Sequence, residues 1–189
     1  AGTITVNEGI LQAKGDGALG TSAGGVDINS GATVKLDSSW TYGDDFTVSG
    51  PGSLVPGGLG VREVGALVAV GGYSRLSGAV VLDGDATLAG DVFLDPSTAP
   101  ATGGLAYRIG TLSIEGVGGL TGTGTVTLSG HGDGIIVNGI HTTAGGVNKD
   151  GAGRWTIPNA SSDVGTTVIS AGTLRITDDA ALGATGTGT

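Results

Sequence analysis

Apolar and polar residues alternate in short runs from one end of the chain to the other. The runs include Thr3-Ile4-Thr5-Val6, Val26-Asp27-Ile28, Thr33-Val34-Lys35-Leu36, Phe46-Thr47-Val48, Leu67-Val68-Ala69-Val70 and Ala79-Val80-Val81-Leu82. They continue through Ala86-Thr87-Leu88, Asp91-Val92-Phe93-Leu94, Leu112-Ser113-Ile114 and Thr125-Val126-Thr127-Leu128. The last are Ile135-Ile136-Val137, Arg154-Trp155-Thr156-Ile157 and Leu174-Arg175-Ile176. A period of two bounded by Gly, Asn, Asp or Ser predicts short strands. No stretch sustains the i, i+3, i+4, i+7 spacing of a helix. Gly interrupts nearly every window, and each interior Gly costs a helix about 1 kcal/mol relative to Ala.

Spacing between the runs chooses the architecture. Many are separated by two to four residues, as at Asn29-Ser30-Gly31 and Asp83-Gly84-Asp85. Such turns either reverse the chain into hairpins or form the corners of a coil whose strands pair with those one turn later. Three features favour the coil over a sandwich or barrel. Similar corners recur at Asn29-Ser30-Gly31-Ala32, Ser77-Gly78-Ala79-Val80 and Ser170-Ala171-Gly172-Thr173, as stacked rungs require. The scarcity of aromatics suits a slim interior. Asn, Ser, Thr and Asp beside the corners form ladders when rungs stack. With roughly 20 residues per rung, about nine rungs would make a rod on the order of 45 Å long. Two Gly- and Pro-rich stretches, near 49–60 and 95–104, are expected to leave the coil as loops, where binding is commonly placed.

Composition narrows the class. The 189 residues include 41 Gly and 38% hydrophobic residues, but only 4% aromatics. Recurrent alternation, only 5 Pro and a positive mean hydropathy argue against disorder. The net charge of −9 and the lack of a basic run argue against nucleic-acid binding, and an acidic surface disfavours anionic membranes. No apolar run reaches the roughly 20 residues of a membrane helix. The absence of Cys removes disulfides and thiolate metal sites. With no signal peptide and no Met, a chain opening at Ala1 inside a strand pattern reads as a processed or excised piece of a longer protein.

Residues 149–183 carry a specific wording. Lys149-Asp150-Gly151-Ala152-Gly153 leads into Arg154-Trp155-Thr156-Ile157, then Gly165-Thr166-Thr167-Val168-Ile169-Ser170-Ala171-Gly172-Thr173-Leu174, and finally Ala180-Ala181-Leu182-Gly183. This resembles the autotransporter-associated β-strand repeat of passenger domains. Partial copies occur at Ala1–Val6 with Asp16–Gly20, and at Leu120–Gly130. The match departs from the family pattern at Asp163-Val164-Gly165, which lacks the usual preceding aromatic, and at Pro158; residues 40–110 match poorly. The resemblance implies a stalk-like β-helix exported to the cell surface, and it implies no catalytic residue. The similarity of Ala1–Val6 to Ala171–Ile176 also raises the reading that the chain is one period of a tandem array, against chance recurrence of a common motif.

Candidate chemistry is sparse. Asp83 and Asp85 could act as a carboxylate pair, but with Asp44-Asp45 and Asp178-Asp179 they read more simply as polar turns. Gly130-His131-Gly132-Asp133-Gly134 is similar to a calcium-binding nonapeptide, yet lacks its leading double Gly and occurs once. Calcium held on an acidic rod stays an alternative; otherwise no cofactor or metal is expected. His131 with Ser129 and Asp133, and His141, show no nucleophile motif. Trp40, Tyr42, Tyr73, Tyr107 and Trp155 suit the core or corners better than stacking on sugars. Asn159-Ala160-Ser161 fits a glycosylation acceptor, discounted for a bacterial protein.

The expectation is an all-β, elongated right-handed parallel β-helix, one segment over residues 1–189, with no catalytic, cofactor or metal site residues. Its expected role is a non-enzymatic stalk or display scaffold of a secreted or cell-surface bacterial repeat protein, an adhesin or extracellular fibre. Expected partners are copies of itself end to end, and host or matrix glycans or proteins; nucleic acid and membrane insertion are not expected. The alternative is a polysaccharide-binding or polysaccharide-degrading β-helix.

Overall fold

The computed structural model describes residues 2–15, 17–37, 39–53, 65–95, 106–162 and 164–183. The described residues are all β, with no helix. Nineteen strands form a twelve-stranded and a seven-stranded sheet, parallel throughout except for one hairpin.

The twelve-stranded sheet is two files of strands joined through one long member. The first file contains β1 (Ile4–Val6), β3 (Gly25–Ile28), β6 (Asp45–Gly50), the first half of β9 (Val80–Gly90), β12 (Leu120–Thr123) and β15 (Ile140–Thr143). The second contains β2 (Gly9–Ala13), β4 (Ala32–Leu36), β7 (Leu67–Ala69), the second half of β9, β13 (Val126–Ser129), β16 (Val147–Lys149) and β18 (Thr167–Ile169). The seven-stranded sheet holds β5 (Thr41–Tyr42), β8 (Gly72–Leu76), β11 (Ala106–Ile114), β14 (Asp133–Ile136), β17 (Arg154–Ile157) and β19 (Thr173–Ile176). β10 (Val92–Asp95) joins it antiparallel to β11.

Register builds the core. In the first file Ile4, Val26, Phe46, Val80, Leu120 and Ile140 align, with Val6, Ile28, Val48 and Leu82 two residues further on. In the second file Leu11, Val34, Leu67, Leu88 and Leu128 align. Alternate residues of each strand point the same way, so these columns meet Leu76, Leu112, Ile114, Trp155 and Ile157 of the seven-stranded sheet in one buried cluster. Burying a Val, Leu or Ile side chain stabilises by about 1.5–3 kcal/mol. Aliphatic residues, many of them β-branched, fill most of this space, and Tyr42, Phe46 and Trp155 are the rings among them.

Corners stack as the strands do. Asn29 Nδ2 donates to Asn7 Oδ1 at 2.8 Å, and Asn159 Nδ2 to the Val137 carbonyl at 2.7 Å, the expected polar ladders. At the corner between the first two files Gly84 has φ +93° and Gly124 φ +94°, a left-handed backbone that favours glycine. A methyl on Gly124 would collide with the Gly84 backbone, and one on Gly145 with the Gly124 carbonyl. Glycine there is required by the close approach of successive corners.

The sequence reading needs three corrections. Partner strands lie 19 to 23 residues apart at both ends of the chain. In the middle, Phe46 pairs with Val80 and Val80 with Leu120, because two insertions lengthen those turns. Among the described residues the longest file therefore has seven strands against the roughly nine rungs expected, and six steps of about 4.8 Å span about 29 Å. Second, runs 79–82 and 86–88 are one strand, β9, whose halves pair in different files. Third, Ala1–Val6 and Ala171–Ile176 do not occupy equivalent places: β1 lies in the twelve-stranded sheet and β19 in the seven-stranded one. Of the two expected loops, the first begins inside β6, which includes Ser49 and Gly50; Gly52 then bridges Gly65, and 54–60 lies outside the described residues. Residues 96–104 also lie outside them, but the chain on either side pairs as the β10–β11 hairpin.

Candidate functional site

The three acidic turns behave differently. Asp85 Oδ1 accepts the Thr125 amide at 2.7 Å, and Asp178 Oδ1 accepts the Ala180 amide at 2.8 Å. Asp83 is exposed beside Gly84. Asp83 and Asp85 are thus corner residues, as the turn reading expects. Asp45 Oδ1 likewise accepts the Ala79 amide at 2.8 Å.

Asp44 is the exception. It is only 5% exposed. Tyr42, Asp44, Phe46 and Val48 share the inward parity of their stretch, a period-two signal that places a carboxylate where an apolar residue would be expected. Burial pushes its carboxyl above the ordinary value, its own backbone amide opposes that shift, and the neighbouring Asp45 charge adds to it. Asp44 lines a cavity of about 280 Å3 with Ser22, Thr41, Tyr42 and Ser77.

The histidines form no triad. His131 Nδ1 lies 3.3 Å from Asp91 Oδ1, which also accepts the His131 amide at 3.3 Å. Asp133 instead pairs with Arg154 at 2.8 Å, and the Ser129 carbonyl accepts Trp155 Nε1 at 3.2 Å. His141 Nδ1 meets Ser162 Oγ and its Nε2 meets the Asn138 carbonyl, both at 2.9 Å. No group of three His, Asp or Glu that could hold a metal occurs among the described residues.

Of the aromatics, Trp155 and Tyr42 are buried, and Trp40 is 43% exposed. Tyr107 lies where only the backbone is described. Tyr73 is half-buried on the outer surface of the seven-stranded sheet, with the Arg75 guanidinium 4.8 Å from its ring centroid. Tyr73 Oη donates to Ser113 Oγ at 3.1 Å, Ser113 Oγ donates to Glu115 at 2.9 Å, and Arg75 pairs with Glu115 at 3.4 Å.

Two polar groups missed by the pattern hold the fold. The Asp37 carboxylate is buried and receives Gln12 Nε2 at 2.8 Å, Lys14 Nζ at 3.1 Å and Arg108 Nη1 at 3.3 Å, tying the base of the hairpin to the second file. Lys149 continues the column of Val34, Leu67, Leu88 and Leu128 and is fully buried. Its Nζ donates to the Gly151 and Ala171 carbonyls. Burial lowers its pKa, with Asp150 opposing.

Compared with family models, curated proteins and solved structures, the chain matches none. No helix among the described residues is long and apolar enough to cross a membrane.

Proposed function

We propose that this chain is a right-handed parallel β-helix serving as a stalk or display scaffold of a secreted, cell-surface bacterial repeat protein of the autotransporter-passenger kind. The observation that carries the reading is the recurrent parallel register, in which apolar columns run through six strands of the first file and five of the second. A structure whose contacts are mainly between neighbouring turns is quasi-one-dimensional and suits spacing or presentation. The residues resembling the passenger repeat run from the last residue of β16 through β17, β18 and β19, strands that pair in parallel at steps of 19 to 21 residues. The two insertions fall in sequence between strands at the middle of the stack, where a displayed element would be placed.

The reading includes association of copies end to end. Val168, Ile169 and Ile176, on the last strand of each of two files, are exposed, and unpaired strand edges invite pairing.

Antibody labelling of bacteria producing the native gene product tests the assignment. Labelling of intact cells supports it. Labelling only after permeabilisation overturns it.

A further inference from the structure

The cavity beside Asp44 lies where three successive turns of chain meet. Ser22 comes from the connection between β2 and β3, Thr41 to Asp44 from β5 and the turn into β6, and Ser77 from just after β8. Gly43 sits between the two serines: a methyl there would lie 3.1 Å from Ser22 Cβ and 3.9 Å from each of Ser22 Oγ and Ser77 Oγ. Its φ is not in the left-handed range, so the missing side chain leaves room rather than relieving the backbone. Ser22, Thr41 and Ser77 are exposed, and Asp44 is buried at the same cavity.

The lining is rich in acceptors. It presents a carboxylate, the aliphatic hydroxyls of Ser22, Thr41 and Ser77, the phenol-bearing Tyr42, Leu19 and glycine backbone, with no cationic side chain among the described residues. Among the described residues Asp44 has no cationic partner, and the only hydrogen bond found for its carboxylate is from its own amide. Asp45 lies next to it and the chain is acidic overall. A neutral polyol would leave the repulsion between the two carboxylates in place; a cation would relieve both repulsion and burial. A divalent ion fits less well. Calcium takes six to eight oxygens and several charges, while Asp45 is already engaged with the Ala79 amide. An ammonium group has three N–H donors, which match one carboxylate and two neighbouring hydroxyls.

We infer that this cavity binds a small molecule through its primary ammonium group, with Asp44 as counter-ion and two of the Ser22, Thr41 and Ser77 hydroxyls as acceptors. The inference does not depend on the stalk reading; an intracellular protein with this cavity would bind the same chemistry. An amino sugar and a simple alkanolamine are the two sources of such a group.

Backbone-amide NMR titration of the whole chain at neutral pH, with glucosamine, ethanolamine, N-acetylglucosamine, glucose and calcium chloride as probes, tests it. Glucosamine and ethanolamine should shift the amides of residues 41–45 and 77, saturating in about the millimolar range expected for so few atoms. Tighter binding of glucosamine would identify the amino sugar as the source, and equal binding the ammonium alone. N-acetylglucosamine and glucose should shift nothing, because neither carries a charge. Asp44→Asn should abolish saturation while retaining the wild-type spectrum elsewhere. Gly43→Ala, which keeps every charge and fills the space between the serines, should weaken binding at least tenfold. Binding that persists in Asp44→Asn, equal binding of N-acetylglucosamine, or a saturable calcium site with no amine response would overturn the inference.

Discussion

Trp155 and Gly134 offer the sharpest mutational test of the register. Ser74, Leu112, Gly134, Trp155 and Leu174 align across five strands of the seven-stranded sheet. Trp155 is fully buried, and a methyl on Gly134 would overlap its indole ring. The large residue is accommodated because its neighbour one turn earlier has no side chain. Gly134→Ala should therefore destabilise by about 1–3 kcal/mol through overpacking. Trp155→Leu should cost about 2–4 kcal/mol through lost burial and the released Ser129 carbonyl. In the Trp155→Leu background the alanine meets no ring. The backbone of Gly134 is outside the left-handed region, so there the same Gly134→Ala change should become neutral or stabilising by about 0.4–1 kcal/mol. The lost or reversed cost is the signature, with a coupling of about 1–4 kcal/mol. Urea unfolding followed by circular dichroism reads all four proteins without relying on tryptophan fluorescence. An equal cost of Gly134→Ala in both backgrounds would refute the stacking of β14 on β17.

Other consequences follow from the buried polar groups. Lys149 has a lowered pKa in the fold, so the unfolded chain binds more protons between that value and 10.5; stability should rise with pH through this alkaline range, and Lys149→Met should lack the rise in urea titrations. Asp44 has a raised pKa, so its contribution is present below 3.8 and lost as pH rises through the folded value; Asp44→Asn should flatten that acidic slope. Asp37→Asn should cost about 1–2 kcal/mol, discounted because Lys14 and Arg108 are part-exposed, and should speed hydrogen exchange of amides 108–110 at the hairpin base. If copies meet through the last strands, sedimentation velocity should show concentration-dependent association that Ile169→Lys reduces; association unchanged by that substitution would place the contact elsewhere.

Much of this architecture is legible in the pattern of side chains, and the rest fails for physical reasons. Alternation finds β3, β4, β13 and β17 because one face of each is apolar. It misses β8, where Gly72-Tyr73-Ser74-Arg75-Leu76 places Ser74 inside and Arg75 outside. Recurrent glycine corners point to stacking, since only stacking removes the space for a Cβ at Gly124 and Gly145. Rung number is misjudged because an insertion changes the register step without changing the strands that flank it. Asp44 and Lys149 obey inward parity, but periodicity alone cannot tell a buried charge from an exposed one in so short a stretch. The Asp37 clamp joins residues 71 apart in sequence, and no local signal reports it.

The most direct test is the distance between strands far apart in sequence and near in the stack. Thr5, Asp27, Thr47, Val81, Thr121 and His141 form one column on the first file. The chain has no Cys, so paired nitroxides can be placed cleanly on Asp27→Cys with His141→Cys, and on Thr5→Cys with His141→Cys. Four and five steps of about 4.8 Å predict narrow electron-electron distance distributions centred near about 19 Å and about 24 Å, apart by one strand spacing. Broad distributions, or distances that do not grow by one spacing when the first label moves from 27 to 5, would contradict the parallel stack.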